Sequence, residues 1–173
     1  MKKILKLVFV TLALLLFSCK SVEFKVKRDS VKMEISNVLK ILEKQNNRKS
    51  NLISLTIQFA STFNINNKSL ALKVIENKKK LSKLNANFNN QKMTKKMINI
   101  YFQEQIELSK SLNVLFQEFD KNPESSTNRS YFDLRNAFEG NDNRREKTLK
   151  QYNRIIEYNS KYINYPKFDI KKI

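Results

Sequence analysis

One glycine and two prolines in 173 residues leave this chain few places to turn. Tight hairpins draw on glycine for backbone with positive φ, so a chain this poor in glycine is badly suited to a hairpin-rich fold. Long helices need neither residue. The apolar spacing agrees. Tyr131, Leu134, Phe138, Leu149, Tyr152, Ile156 and Ile163 fall on one helical face, with a polar gap between Phe138 and Leu149.

The rest of the chain repeats the pattern. Val31, Ile35, Val38, Leu42, Leu52, Ile53, Thr56, Phe59 and Phe63 predict a first helix over 30–63, with Asp29 or Ser30 as its cap. It too carries a polar gap, over 44–51. Residues 64–67 read as an asparagine-rich turn. Leu70, Val74, Leu81, Leu84 and Phe88 predict a second helix, with Lys78, Lys79 and Lys80 on a solvated face. Residues 87–91 read as either a break or a kink. Met97, Tyr101, Leu108, Leu112, Leu115 and Phe119 predict a third helix, stopped before Pro123 because proline disfavours a helical residue ahead of it. Residues 124–128 read as a loop that caps a fourth helix over 130–164. Neither a strand-like alternation nor a solenoid repeat is present. The expectation is an all-α fold: an antiparallel up-and-down four-helix bundle over 30–166, with long first and last helices and a basic tail over 167–173.

The first 21 residues read MKKILKLVFVTLALLLFSCKS. Lys2, Lys3 and Lys6 form a positive start, Leu7 to Phe17 an apolar run, and Ser18 a small residue, which is the layout of a signal peptide over 1–18. The run is shorter than the roughly 20 apolar residues of a membrane-spanning helix. Leu16-Phe17-Ser18-Cys19 resembles a bacterial lipobox. That resemblance implies cleavage before Cys19, lipidation of Cys19, and a tether over 19–29. A plain signal peptide, or an uncleaved anchor with an incidental cysteine, is the alternative. The single cysteine fits the lipid reading, because it has no partner for an internal disulfide.

A second resemblance lies at the other end. Asp120-Lys-Asn-Pro123, then Asn128, Tyr131, Leu134, Phe138, Gly140 and Asp142-Asn143-Arg144 resemble the LemA family pattern. Tyr152-Asn153, Tyr158-Asn159 and Tyr165-Pro166 continue it at matching spacing, over about 50 residues in all. Asn51-Leu52-Ile53 and Phe59-Ala60 resemble the family's earlier N-L-V and Y-A. The resemblance implies a membrane-associated bacterial helical bundle with no established enzymatic activity. With the lipobox, it places the chain at the cell envelope, anchored to the membrane and extracytoplasmic.

The residue inventory excludes much chemistry. There is no histidine, which removes the commonest general base and most zinc sites. Lipidation would consume the lone cysteine. One glycine permits no phosphate-binding loop. The carboxylates Glu104 and Glu107 read as surface residues. The chain is therefore expected to be no enzyme, with no cofactor and no metal. Its net charge of +18 leaves anionic lipid, an envelope polymer or nucleic acid as partners held by counterion release, beside an unknown protein partner. Nucleic acid is disfavoured, because no binding motif is present. An AT-rich genome, which favours Lys, Asn, Ile and Phe codons, gives the same composition with no binding role.

The two polar gaps carry the most specific expectation. In antiparallel helices centred near residues 46 and 147, the gaps meet. The core stripe then turns Gln45 or Asn46, with Lys49, towards Asp142 and Arg145. A polar layer across the waist is expected, with Asp142 as its acceptor. Gly140 calls for a reason too, either a closely packed neighbour or a bend.

Overall fold

The computed structural model describes the backbone of residues 2–63, 68–88 and 94–169, and the side chains of 21–63, 69–83 and 94–169. The described residues are all-helical, without a strand. Five helices follow in order: α1 (Lys2–Thr62), α2 (Lys68–Phe88), α3 (Lys95–Lys121), the single turn α4 (Pro123–Ser126) and α5 (Arg129–Tyr158). The Cys19 side chain, the Asn64–Asn67 turn and the 89–93 segment lie outside the described residues. Among those described, no helix is long and apolar enough to cross a membrane.

α1 is longer than the sequence suggests. Its 61 residues span about 90 Å at about 1.5 Å each, and they run through the expected tether without a break. Nothing in Lys20–Asp29 stops a helix. Asp29 does not cap one either; its carboxylate lies 3.9 Å from Arg28 and 4.0 Å from Lys32 along the helix surface.

Polar side chains set the later boundaries. Thr94 accepts a hydrogen bond from the Met97 N–H, so α3 begins with its own cap. Asn122 Oδ1 accepts from the N–H groups of Glu124 and Ser125, and Pro123 opens α4 at a position that needs no donor. The expected loop over 124–128 is thus partly a helical turn. Asn128 then caps α5 by accepting from the Ser130 N–H.

The fourth long helix ends earlier than its periodicity implied. α5 stops at Tyr158, and the chain turns over 159–162. Asn159 adopts φ −113° and ψ 19°, and its side-chain amide donates to the Ile155 carbonyl. The tail returns along α5 instead of leaving it. Phe168 is 3% exposed and packs against the rings of Tyr152, Phe102 and Tyr101. Ile163 kept the helical spacing, but it is buried from outside the helix.

α1 packs chiefly against α5 and α2 against α3, and α1 also touches α2. Along α1, Gln45 meets Thr148 and Lys49 meets Asp142 on α5, and Phe24 meets Tyr162 in the turn after it. One continuous core runs from Val31 through Leu42, Val74, Leu108, Phe119 and Tyr131 to Ile156. A side chain at Gly140 would meet only the Arg144 guanidinium, at 3.7 and 3.8 Å, so no neighbouring helix is packed against this glycine.

Candidate functional site

The core stripe changes chemistry halfway along. On α1 it reads Leu42, Asn46, Lys49, Ile53; on α3 Tyr101, Gln105, Leu108; on α5 Phe138, Asn141, Arg145, Leu149. Each step is three or four residues, so the polar members are carried inward by the same periodicity that buries their apolar neighbours. Asn46, Lys49, Gln105, Asn141 and Arg145 are each at most 4% exposed.

Hydrogen bonds join them across three helices. Lys49 Nζ donates to both Asp142 carboxylate oxygens, at 3.0 and 3.2 Å, and to Gln105 Oε1 at 3.4 Å. Arg145 Nη1 donates to the same Gln105 oxygen, and its Nη2 lies 3.5 Å from Asp142. The Tyr101 hydroxyl donates to Asn46 Oδ1 at 2.9 Å. At the α1–α5 edge, Gln45 Nε2 donates to Thr148 Oγ1 at 2.8 Å, and Asn141 Nδ2 donates to the Gln45 carbonyl.

The layer departs from its sequence expectation in two ways. Gln45 and Asp142 sit at the rim, half-buried, and Asp142 keeps 39% side-chain exposure. Asp142 is an acceptor reaching in from the edge, while Asn141 takes the fully inward position. The reading also missed Gln105, Tyr101, Asn141 and Thr148. Gln105 was legible, since it lies four residues after Tyr101 and three before Leu108, both on the apolar stripe.

Two cations face one carboxylate here, and the electrostatics follow. Burial, then the nearby Arg145 guanidinium, lowers the Lys49 pKa from 10.5 to about 8, against the upward pull of Asp142. Burial raises the Tyr101 hydroxyl above its usual range.

A cleft of about 550 Å³ opens beside the layer, between α3 and α5. Lys49 and Asp142 form one end of its wall, Phe116 and Phe138 the apolar side, and Asp120 with Arg135 the far end. Arg135 donates to both Asp120 oxygens at 3.0 Å.

The other sequence positions divide into two groups. At the start of α5, the Tyr131 hydroxyl donates to Asp120 Oδ1 at 2.7 Å, with the Phe116 carbonyl at 3.3 Å. Burial and the Asp120 carboxylate push its pKa up to about 12. Pro123 lies nearby at the head of α4. At the far end, Asn153 clamps the tail: its Oδ1 accepts from the Phe168 N–H at 2.7 Å and its Nδ2 donates to the Phe168 carbonyl at 2.6 Å. The Tyr152 hydroxyl donates to the Pro166 carbonyl at 3.3 Å, and burial raises its pKa. Asn159 ends the helix. Asn143, Arg144 and Tyr158 are exposed, Tyr158 at 81%.

The α3 carboxylates Glu104 and Glu107, expected at the surface, are half-buried, and Glu107 pairs with Lys110 at 3.2 Å, one turn along its own helix. Among the described residues no group of carboxylates could hold a metal ion. Lys78, expected on a solvated face, is half-buried and donates to Ser54 Oγ at 2.6 Å.

The class defined so far is an all-helical protein with a charged layer through its core and a clamped C-terminal tail. No protein-family model, curated protein or solved structure matches the chain.

Proposed function

We propose that this chain is a lipid-anchored, membrane-associated protein of LemA type, with a non-catalytic interaction or scaffold role on the extracytoplasmic side of a bacterial envelope. The observation that carries the reading is the Leu16-Phe17-Ser18-Cys19 sequence after a charged start and a short apolar run. A segment this short needs an added anchor, and acyl chains contribute about 0.8 kcal/mol per buried CH2. Its architecture is an antiparallel up-and-down bundle of α1, α2, α3 and α5, with α4 as a link. The register of α1 on α5 supports that arrangement. So do Asn77 on Ser111, and Leu81 near Leu108, along α2 and α3. The LemA resemblance gains a physical rationale from the tail clamp, in which Tyr152, Asn153 and Pro166 act together.

Metabolic labelling with a radioactive fatty acid tests the anchor. The wild type takes up label and Cys19→Ala does not. An unlabelled wild type, or equal label on both, removes the lipoprotein reading.

A second reading is electrostatic attachment to anionic lipid or an envelope polymer. Lys25, Lys27 and Lys32, with Arg28 between them, lie on α1 just after Cys19, and the three lysines are exposed or nearly so. Basic residues at a membrane surface add about 1 kcal/mol each. Binding of the protein to anionic vesicles then weakens steeply from low to physiological salt. Salt-insensitive binding removes this reading.

A further inference from the structure

Lys49 is the only buried lysine among the described residues, and it stands in the wall of the α3–α5 cleft. Two groups of α5 face it: Asp142, which accepts from its Nζ, and the Arg145 guanidinium. From α3 come Gln105, which accepts from the amine, and the neighbouring Tyr101. From α2, Lys78 shares a second, small cavity with it. Burial of this amine, and then the Arg145 guanidinium beside it, disfavour its protonated form, against the single carboxylate of Asp142. The adjoining cleft has an apolar side made by Leu112, Phe116 and Phe138.

We propose that Lys49 is a covalent capture site for a small carbonyl compound, an aldehyde or ketone with an apolar body, which enters the α3–α5 cleft and forms a reversible imine with the amine. The neutral Nζ attacks the carbonyl carbon, and the π pair of the carbonyl moves onto its oxygen. Asp142 takes the protons from nitrogen in turn and passes them to that oxygen. The C–O bond then breaks, water leaves, and a C=N bond joins Lys49 to the ligand. No electrons are gained or lost overall, and hydrolysis reverses the step. With the Lys49 pKa at about 8, about a tenth of the amine is neutral at pH 7, against less than about a thousandth of an ordinary lysine. Capture needs no turnover and does not depend on the lipid anchor.

The test uses the full chain in detergent, benzaldehyde as the probe, and sodium cyanoborohydride to reduce the imine, with modified lysines located by peptide mass spectrometry. At pH 7, Lys49 is modified at least about tenfold faster than the typical surface lysine. That ratio falls as pH rises from 7 to 10, because the surface lysines deprotonate later. Asn113→Trp, at an exposed position on the cleft, blocks Lys49 and leaves the surface lysines unchanged. Lys49 reacting no faster than surface lysines overturns the proposal. So does an undiminished Lys49 rate in Asn113→Trp, which would mean that the probe reaches the amine by some route other than the cleft.

Discussion

Replacing Asp142 by asparagine keeps the side chain's shape and removes one charge. Among the described residues Asp142 is the only carboxylate bonded to the two buried cations, and their side chains are 3% and 1% exposed. Breaking a buried pair costs about 3–5 kcal/mol. Asp142 is itself 39% exposed, and water screens part of the interaction, so about 2 kcal/mol is expected near neutral pH. The pH dependence sharpens the test. The folded pKa of Lys49, about 8, lies below its ordinary 10.5, so the unfolded chain binds more protons between those values. Stability from this group therefore rises with pH through that window and is lowest below about pH 8. Without the Asp142 charge the Lys49 pKa falls further, and the penalty at pH 6 deepens. By pH 9 Lys49 is mostly neutral in both proteins, and only the share belonging to Arg145 remains. Urea unfolding followed by circular dichroism at pH 6 and pH 9 measures the difference. A loss under about 0.5 kcal/mol at pH 6, which is ordinary for a surface change, refutes the reasoning. An equal loss at both pH values refutes the role given to Lys49.

Gly140→Ala is expected to raise stability by up to about 1 kcal/mol, because helix propensity improves and nothing is crowded; a lower melting temperature would contradict the open surroundings. Asn153→Ala removes both bonds to the Phe168 backbone, so residues 163–169 become sensitive to protease while far-UV dichroism stays near that of the wild type. A protected tail would mean that Phe168 alone holds it. Phe168→Ala is expected to cost about 3 kcal/mol in chemical unfolding, as for a buried aromatic; a cost near zero would mean that the tail does not belong to the core. Tyr131→Phe loses the bond to Asp120 and is expected to cost about 1 kcal/mol, read from the same unfolding curves.

Much of this protein was legible because helices write their burial into local spacing. Apolar steps of three and four, with only one glycine and two prolines, gave the helical class, the stop before Pro123 and the inward faces of α1, α3 and α5. The polar layer was legible for the same reason. Lys49 and Arg145 sit where the periodicity must bury them, whatever their charge. Periodicity is silent on depth, because it gives a direction around a helix axis and no distance to the next helix. Only the packing placed Asn141 inside and Asp142 at the rim, brought Gln105 between the two cations, and opened the cleft between α3 and α5. The end of α5 was decided the same way. Ile163 continues the stripe, so the sequence reads helix. The chain turns at Asn159 because Phe168 finds a pocket against Tyr152 and Tyr101, and Asn153 completes its backbone bonds. That contact spans 15 residues and three elements, beyond the reach of any local pattern.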